Sequence, residues 1–205
     1  MILFKDLFNA DDFSIAVNDI ARGFREKFDL PKIGQLGLVV PDVEKAAENL
    51  EATGIPSVFI AKGSPVLWKE RGENRNFRGK LGISYYQGFQ IEPLEPGEGS
   101  DFYCQSADPC GDIVVQHLGF FVSDVDAWAA KLNSAGYETW VRGQIKFGPS
   151  KTDFAYMDTI HDAGIIIEFI SEKFWEIRFK TPAMFYRILG RFEKLIGKRC
   201  IDVTN

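Results

Sequence analysis

The sequence predicts an α+β protein with two tandem βαβββ modules and an added helix at each end. The main observation is an internal repeat: segment 35–43 recurs at 117–125, with Leu, Gly, Val, Asp and Val at matching positions. A second observation is that each copy is followed by a helical pattern and then by three strand-like segments. Because the whole series occurs twice, the two copies are predicted to be equivalent modules.

Each module is predicted element by element. The repeated segments are strand-like and rich in β-branched and aromatic residues, and Asp42 and Asp124 stand where a helix cap belongs. The helical patterns that follow are Val43, Ala46, Ala47 and Leu50 in the first copy and Val125, Trp128, Ala129 and Leu132 in the second. The later strands are predicted at 57–61, 82–87 and 89–94, and at 138–143, 152–158 and 164–170.

The two ends carry amphipathic helical patterns outside the modules. A helix is predicted over 11–28, capped by Asp11 or Asp12, and a second over 181–197, ended by Gly197. We expect the apolar face of each helix to pack against the central domain or a partner subunit. The resulting segments are an N-terminal helical extension (1–31), a first module (32–96), a linker (97–112), a second module (113–171) and a C-terminal helical extension (172–205).

Composition narrows the class of protein. The 205 residues are 45% hydrophobic and 26% charged, which excludes a disordered chain. No apolar run approaches the roughly 20 residues of a membrane span, and acids near the start disfavour a signal peptide. The net charge of −5 disfavours nucleic-acid binding. Three cysteines form an odd set of expected free thiols, so we expect a cytoplasmic protein with no nucleic-acid or membrane partner.

Four polar residues stand at equivalent places in the two copies. Gln35 and His117 begin the first strand, and Glu92 and Glu168 lie in the last strand (92 − 35 = 57 and 168 − 117 = 51 residues further on). A carboxylate in an apolar strand costs several kcal/mol to bury unless a partner, such as a divalent cation, compensates it. One imidazole, two carboxylates and an amide oxygen suit Zn²⁺, Ni²⁺, Co²⁺ or Mn²⁺. The pattern therefore predicts a divalent-metal site.

Simpler interpretations exist for each residue alone. Glu92 and Glu168 could point to solvent from half-exposed strands, and His117 could be a hydrogen-bonded histidine of the core. The repetition of all four positions favours a shared polar site over these interpretations.

The paired βαβββ units resemble the vicinal oxygen chelate superfamily, which includes glyoxalase I, methylmalonyl-CoA epimerase, extradiol dioxygenases and bleomycin-resistance proteins. The resemblance covers about residues 33–171. Within it, segment 158–168 looks like the end of glyoxalase-like and epimerase-like members, because Gly164 precedes the strand that carries Glu168. It implies a curved mixed sheet that forms a cleft, with metal ligands on the first and last strand of each module. The residues at those positions are Gln35, Glu92, His117 and Glu168.

The ligand set favours one branch of this superfamily. Gln, Glu, His and Glu resemble the glyoxalase I pattern, whereas the epimerases more often have His, Gln, His and Glu, so Gln35 and Glu92 depart from them. Extradiol dioxygenases need two histidines and a glutamate on iron, and one histidine is missing here. The resemblance therefore implies a metal-dependent, glyoxalase-like lyase or isomerase, with an epimerase as the alternative.

The implied chemistry is proton transfer next to a carbonyl of an α-oxo or thioester substrate, through an enediolate that the metal stabilises. Glu168 is the candidate base, because an apolar environment raises the pKa of a carboxylate toward neutrality. Return of the proton to the adjacent carbon is a glyoxalase-type isomerisation. Return to the opposite face of the same carbon is an epimerisation, for which Glu92 is the candidate second acid or base.

Substrate recognition is less visible in the sequence. We interpret the polar segment 69–80 as a solvated hairpin, and the net charge of 172–199 (8 − 3 = +5) as the outer face of the terminal helix, rather than as anion sites. His161 is interpreted as a turn residue. The rival function is a metal-free binding protein of the bleomycin-resistance type, whose pocket the 18 Phe, 6 Tyr and 4 Trp would suit. Retention of all four ligand positions favours the enzyme, and the terminal helices favour a homodimer.

Overall fold

The computed structural model describes residues 1–203, and its N-terminal extension differs from the prediction. Strand β1 (Ile2–Leu3) and helix α1 (Phe4–Phe8) precede helices α2 (Phe13–Asp19) and α3 (Arg22–Lys27). The single helix predicted over 11–28 is therefore wrong, although Asp12 caps α2 by accepting a hydrogen bond from the Ile15 amide at 2.9 Å. The chain breaks at Ile20 and Ala21, and Ala21 has a φ of 50°.

The break has a packing reason. Phe13 of α2 packs edge-on against Phe89 of the first module, at 6.0 Å between ring centroids. Phe24 of α3 packs against Tyr137 of the second module at 5.1 Å. The two short helices thus bury aromatic side chains on both modules. This packing outweighs the local preference for one continuous helix.

The first module has the predicted order of elements and one insertion. The hairpin β4–β5 lies between the second and third predicted strands, where the sequence analysis interpreted segment 69–80 as a solvated hairpin. The elements are β2 (Gln35–Val39), α4 (Val43–Ala52), β3 (Phe59–Gly63), β4 (Leu67–Glu70), β5 (Glu73–Asn74), β6 (Gly79–Tyr86) and β7 (Phe89–Leu94).

The second module repeats this order, and the C-terminal helix follows it. The predicted linker between the modules holds one short 3₁₀ helix, Cys104–Ser106, and no helix in the described part of the chain is long and apolar enough to cross a membrane. The remaining elements are β8 (Val114–Phe121), α5 (Val125–Asn133), β9 (Thr139–Phe147), β10 (Ser150–Met157), α6 (Ile160–Ala163), β11 (Ile166–Phe174), β12 (Ile177–Arg178), α7 (Ala183–Leu195) and β13 (Ile201–Asp202).

One curved mixed sheet joins the two modules. Its order is β13-β3-β6-β7-β2-β8-β11-β10-β9-β4-β5, with β1 beside β8 and β12 beside β11. Strands β2 and β7 run parallel, as do β8 and β11, whereas β2 and β8 meet antiparallel at the centre. Strand β4 of the first module pairs with β9 of the second, so the sheet continues from one module into the other at this side as well.

The register of β2 against β8 shows a two-fold relation between the modules. Leu36 lies opposite Leu118, and the flanking pairs are Gln35 with Gly119 and Gly37 with His117. The repeat offset (117 − 35 = 119 − 37 = 82) converts each of these flanking pairs into the other. The offset between the two copies in the sequence therefore corresponds to a two-fold symmetry of the sheet.

Alternation along the strands separates the apolar core from the polar positions. Leu36, Leu118 and Ile167 are buried in the cluster that also holds the apolar faces of α4 and α5. Because successive side chains of a strand point to opposite faces, the polar residues at the positions between these apolar ones point away from the helices. As predicted, Asp42 and Asp124 cap α4 and α5, accepting from the amides of Lys45 and Ala127 at 3.0 Å.

Two glycines make room for the polar side chains. A Cβ on Gly37 would lie 1.7 Å from Cε1 of His117, and a Cβ on Gly119 would lie 2.5 Å from Oε1 of Gln35. Each side chain therefore lies directly over the glycine that pairs with it on the neighbouring strand. The Gly of the repeated motif is required by this close approach and not by backbone conformation.

We expect Gly37→Ala to destabilise the protein by about 1–3 kcal/mol or more, because His117 must leave its place. The control is Gly23→Ala in α3, where a Cβ meets nothing within 4 Å. That change should be neutral or stabilise by about 0.5–1 kcal/mol, since alanine favours helix. Urea unfolding followed by circular dichroism measures both, and equal effects of the two variants would contradict the close approach.

Candidate metal centre

Three ionisable side chains meet on the face of the sheet opposite α4 and α5. His117 Nε2 lies 3.2 Å from Oε2 of Glu168 and 3.6 Å from Oε2 of Glu92. One possible ligand atom from each residue lies within 4.8 Å of the others. The His117 side chain is fully buried, and those of Glu168 and Glu92 are 4% and 12% exposed. The cluster is therefore almost completely withdrawn from solvent.

The four central strands place these residues in two adjacent rows. One row runs from Glu92 on β7 through Gly37 to His117 on β8. The other runs from Gln35 on β2 through Gly119 to Glu168 on β11. Since the two-fold relation exchanges the rows, the duplicated sequence places two carboxylates and two further polar side chains on one small area of the sheet.

Gln35, the fourth predicted ligand, lies over Gly119 in the second row. Its Nε2 donates to Oε1 of Gln90 at 2.7 Å, and Gln90 in turn donates to the hydroxyl of Tyr85 at 3.1 Å. The amide is thereby oriented, and its Oε1 is buried without a hydrogen-bond partner. An amide oxygen that is fixed and unpaired is available as a ligand.

A β-bulge adds Gln116, a residue that the sequence analysis missed. Gly37 pairs with His117 and Leu38 pairs with Val115, so Gln116 has no partner on β2. Its side chain contacts the neighbouring imidazole: Oε1 lies 2.9 Å from Nδ1 of His117. The signal available in the sequence was an amide side chain next to the histidine in an otherwise apolar strand.

Gln116 determines which nitrogen of His117 carries a proton. Its Nε2 donates to the carbonyl oxygen of Phe102 at 3.2 Å, and a carbonyl can only accept. Oε1 must therefore accept from Nδ1–H of His117. In the neutral ring the lone pair is then on Nε2, which faces the two carboxylates and is the atom that a metal would bind.

An aromatic cluster covers one side of the centre. Phe102 and Tyr103 come from the predicted linker, and both are almost fully buried. The Tyr103 hydroxyl lies 3.0 Å from that of Tyr156, whose ring packs edge-on against His117 at 4.9 Å. Burial raises the pKa of both tyrosines well above the usual range, so their hydroxyls stay protonated. The aromatic cluster comprises Trp68, Phe77, Phe102, Tyr103, Trp140, Phe154 and Tyr156.

Burial and charge act in opposite directions on the ionisable groups. Burial lowers the pKa of His117, but Glu168 and Glu92 outweigh this effect and raise that pKa from 6.5 to about 9. Burial raises the pKa of Glu168, and the attraction of His117 only partly offsets it. Without a metal, the imidazole is therefore protonated at neutral pH between two carboxyl groups.

The residues fit a divalent metal. His117 Nε2 and Glu168 Oε2 are buried and have no aligned hydrogen-bond partner, although they are close enough to form an ion pair. Two carboxylates, an imidazole nitrogen and the free amide oxygen of Gln35 form a mixed oxygen and nitrogen donor set. A cation between them would neutralise both carboxylates and pair the unsatisfied atoms.

The other residues singled out in the sequence lie apart from this cluster. His161 is fully exposed on α6 and contacts Asp162. Arg71, in the hairpin β4–β5, forms an ion pair with Asp158 at 3.0 Å, and Arg78 pairs with Asp202. The cysteines Cys104, Cys110 and Cys200 are free thiols.

Comparison with known proteins identifies a family. The model of the glyoxalase/bleomycin resistance protein/dioxygenase superfamily matches residues 34–156. No curated protein sequence matches the chain. Among solved structures, methylmalonyl-CoA epimerase from Mycobacterium tuberculosis is 20% identical, with a TM-score of 0.45 over 67% of this chain and 85% of that chain. A Streptomyces coelicolor epimerase with bound 2-nitronate-propionyl-CoA is 19% identical, with a TM-score of 0.45 over 69% and 94%.

We expect the metal-free protein to lose stability as the pH rises from 7 to 10. A group whose pKa is raised by folding stabilises the folded state fully at a pH below its pKa in the unfolded chain, which is 6.5 for His117. This contribution is lost as the pH rises from there through the pKa of about 9 in the folded protein. The loss should be on the order of 3 kcal/mol. Urea unfolding across this range measures it: His161→Gln should keep the slope and His117→Gln should lack it, whereas parallel curves for all three proteins would contradict the assignment.

We expect Gln116→Met to weaken Zn²⁺ binding by about 10–100-fold, because Nδ1 of His117 loses its acceptor. Competition with a chromophoric chelator measures the affinity. Gln144→Met is the matched control, since that amide bonds Asp153 on β10, and Gln116→Glu, which keeps an acceptor, should retain more affinity than Gln116→Met. Equal affinity in all of these variants would show that Gln116 does not orient the imidazole.

Proposed function

Because the chain belongs to the glyoxalase/bleomycin resistance protein/dioxygenase superfamily, we propose that it is a metal-dependent lyase or isomerase that moves a proton next to a carbonyl. The observation that carries the proposal is the meeting of Glu92, His117 and Glu168 in a buried cluster with unpaired ligand atoms. Burial of such groups costs free energy unless a bound cation or a substrate compensates their charge. Clusters of buried ionisable groups with shifted pKa values therefore mark functional sites.

The proposed metal ligands are Gln35, Glu92, His117 and Glu168. Zn²⁺, Ni²⁺, Co²⁺ or Mn²⁺, when bound there, supplies a Lewis acid for the substrate oxygens. Gln90 fixes the amide of Gln35, and Gln116 presents Nε2 of His117.

Glu168 is the proposed base. Its raised pKa brings the carboxylate nearer to the basicity that removal of a proton next to a carbonyl requires. Tyr156 pairs with Glu168 in register on the neighbouring strand and packs against His117, so it limits the movement of both. The aromatic cluster excludes water from this side, which strengthens the electrostatic effect of each charge on a bound substrate.

The proposed substrate is a small α-oxo or thioester compound. In the glyoxalase-type reaction, Glu168 takes a proton from the carbon next to the carbonyl and returns it to the adjacent carbon, so that no atom is gained or lost. Epimerisation is the second candidate, because Glu92 and Glu168 are related by the two-fold symmetry. One could then remove the proton and the other could deliver one to the opposite face.

Two further expectations accompany this function. We expect a homodimer, as the exposed apolar face of helix α7 suggests, and a cytoplasmic location. A metal-free binding protein of the same superfamily is the alternative outcome that the following experiment would reveal.

Metal analysis by plasma mass spectrometry, combined with deuterium exchange in D₂O, tests the proposal. We expect near one equivalent of Zn, Ni, Co or Mn in the wild type, and less in Glu168→Gln. Exchange at the carbon next to the carbonyl, tested with thiol adducts of α-oxo aldehydes and with branched acyl thioesters of coenzyme A, should fall by at least about 100-fold in that variant. The readout is nuclear magnetic resonance of the substrate.

Glu193→Gln is the matched control, because Glu193 is also fully buried but lies on α7 and binds the Ile60 amide. It should keep metal content and exchange. Exchange with transfer to the adjacent carbon identifies the isomerase, and exchange with inversion identifies the epimerase. A protein that holds no metal even after reconstitution would remove the lyase or isomerase proposal in favour of the binding protein.

A further inference from the structure

The row of the sheet that holds Gln35 continues outward from the metal centre. Gln35 pairs with Gln90 on β7, and Gln90 pairs with Tyr85 on β6. Because paired residues of neighbouring strands share a face, all three side chains lie on the face that carries the metal centre. Their polar ends form a chain of hydrogen bonds: Gln35 Nε2 donates to Gln90 Oε1 at 2.7 Å, and Gln90 Nε2 donates to the Tyr85 hydroxyl at 3.1 Å.

The far end of this hydrogen-bond chain lies on the C-terminal extension. Residues 179–182, which we call the connecting segment, join β12 to α7. The Tyr85 hydroxyl donates to the Thr181 carbonyl oxygen at 3.5 Å, and the ring of Tyr186 on α7 stacks on the Tyr85 ring at 6.2 Å between centroids. The Thr181 amide donates to Oε2 of Glu172 on β11 at 3.0 Å. The connecting segment is thus anchored beside Tyr85.

The hydrogen-bond chain has two possible directions, because a side-chain amide accepts at its oxygen and donates at its nitrogen. In the direction that the structure shows, Tyr85 donates to Thr181, and the buried oxygen of Gln35 has no hydrogen-bond partner. In the opposite direction Tyr85 would donate to Gln90, both amides would be inverted, and the Gln35 oxygen would accept from Gln90. The NH2 group of Gln35 would then replace its oxygen as the free end, and this group donates hydrogen bonds but does not bind a metal.

The two ends of the hydrogen-bond chain favour different directions in the metal-free protein. The Thr181 carbonyl can only accept, and burial raises the pKa of Tyr85, so the hydroxyl keeps the proton that it donates. At the other end, Glu168 lies in the same row and would attract the NH2 group of Gln35, because hydrogen bonds to a charged group are the stronger kind. The contact between Tyr85 and Thr181 therefore opposes an inversion that would remove a metal ligand.

We propose that Tyr85 is a positioning residue of the metal site, which, held by the connecting segment, turns the amide oxygen of Gln35 toward the metal. The C-terminal extension then contributes to the metal site although it supplies none of the four proposed ligands. The inference rests on the proposed function, because it assumes that Gln35 binds the metal.

The first experiment measures the affinity for Zn²⁺ by competition with a chromophoric chelator. Tyr85→Phe keeps the ring and removes the hydroxyl, and it should weaken binding by about 10-fold or more, as loss of an outer partner of a metal ligand does. Tyr86→Phe is the matched control, since its ring packs on Phe13 of α2 and its hydroxyl accepts from Gln87. It should bind as the wild type does. Wild-type affinity in Tyr85→Phe would overturn the proposal.

The Gln90→Glu variant tests whether Tyr85 acts through the amide chain. A carboxylate at this position accepts from Gln35 whatever the direction of the Tyr85 hydroxyl, so the Gln35 amide keeps its orientation. The added charge changes affinity by itself, and Tyr85→Phe is therefore compared within each background. In the Gln90→Glu background we expect it to change affinity by no more than about 2-fold. A loss there as large as in the wild-type background would overturn the proposal.

Nuclear magnetic resonance of the metal-free wild type separates this inference from the proposed function. We expect nuclear Overhauser contacts from the NH2 protons of Gln90 to be stronger to the ring of Tyr85 than to the side chain of Gln35. The reverse order would overturn the direction of the hydrogen-bond chain. A wild type that binds no Zn²⁺ would remove the proposed function, and the role of Tyr85 in it, while these contacts still confirm or overturn the orientation of the amides.

Discussion

The burial of two carboxylates beside an imidazole, at the junction of two antiparallel strands, is the constraint on which the rest of the structure depends. Charges withdrawn from water require opposite charges or a cation nearby, and His117 lies within 3.6 Å of both Glu92 and Glu168. The imidazole fits there only because Gly37, opposite it on β2, has no side chain. Apolar residues at alternate positions of the same strands pack against the helices on the other face of the sheet. One sequence pattern therefore specifies both the core and the site.

The two modules provide the symmetry of this centre, and the departures from symmetry give its members different roles. Gln116 accepts a hydrogen bond from Nδ1–H of His117, whereas the equivalent position beside Gln35 (116 − 82 = 34) is Gly34. Gln90 holds Gln35, whereas its register equivalent on β11 is Ile166. The two first-strand side chains are thus oriented by different neighbours, one through a bulge and the other through the adjacent parallel strand.

Much of the fold and the central residues could be predicted because the repeat fixes position as well as pattern. The offset of 82 residues that matches Leu36 to Leu118 also matches Gln35 to His117. The last strands correspond at a different offset (168 − 92 = 76), and their pairing with the first strands places Glu92 and Glu168 at equivalent positions. Local signals were insufficient where distant contacts decide the structure. The helix predicted over 11–28 divides because Phe13 and Phe24 pack on different modules. The bulge at Gln116 and the burial of Phe102 and Tyr103 depend on partners far along the chain, which periodicity does not encode.

The pairing of β4 with β9 has a consequence for biosynthesis. Leu67 pairs with Gln144, which lies 77 residues later (144 − 67), and contacts between such distant segments form slowly. During translation from the N-terminus, the first module is complete while β8 and β9, the second partners of β2 and β4, are still unsynthesised. Its strand edges and Trp68 then face solvent until the second half emerges, a state prone to aggregation. The nascent half-protein, rather than the finished one, is therefore the species most dependent on molecular chaperones.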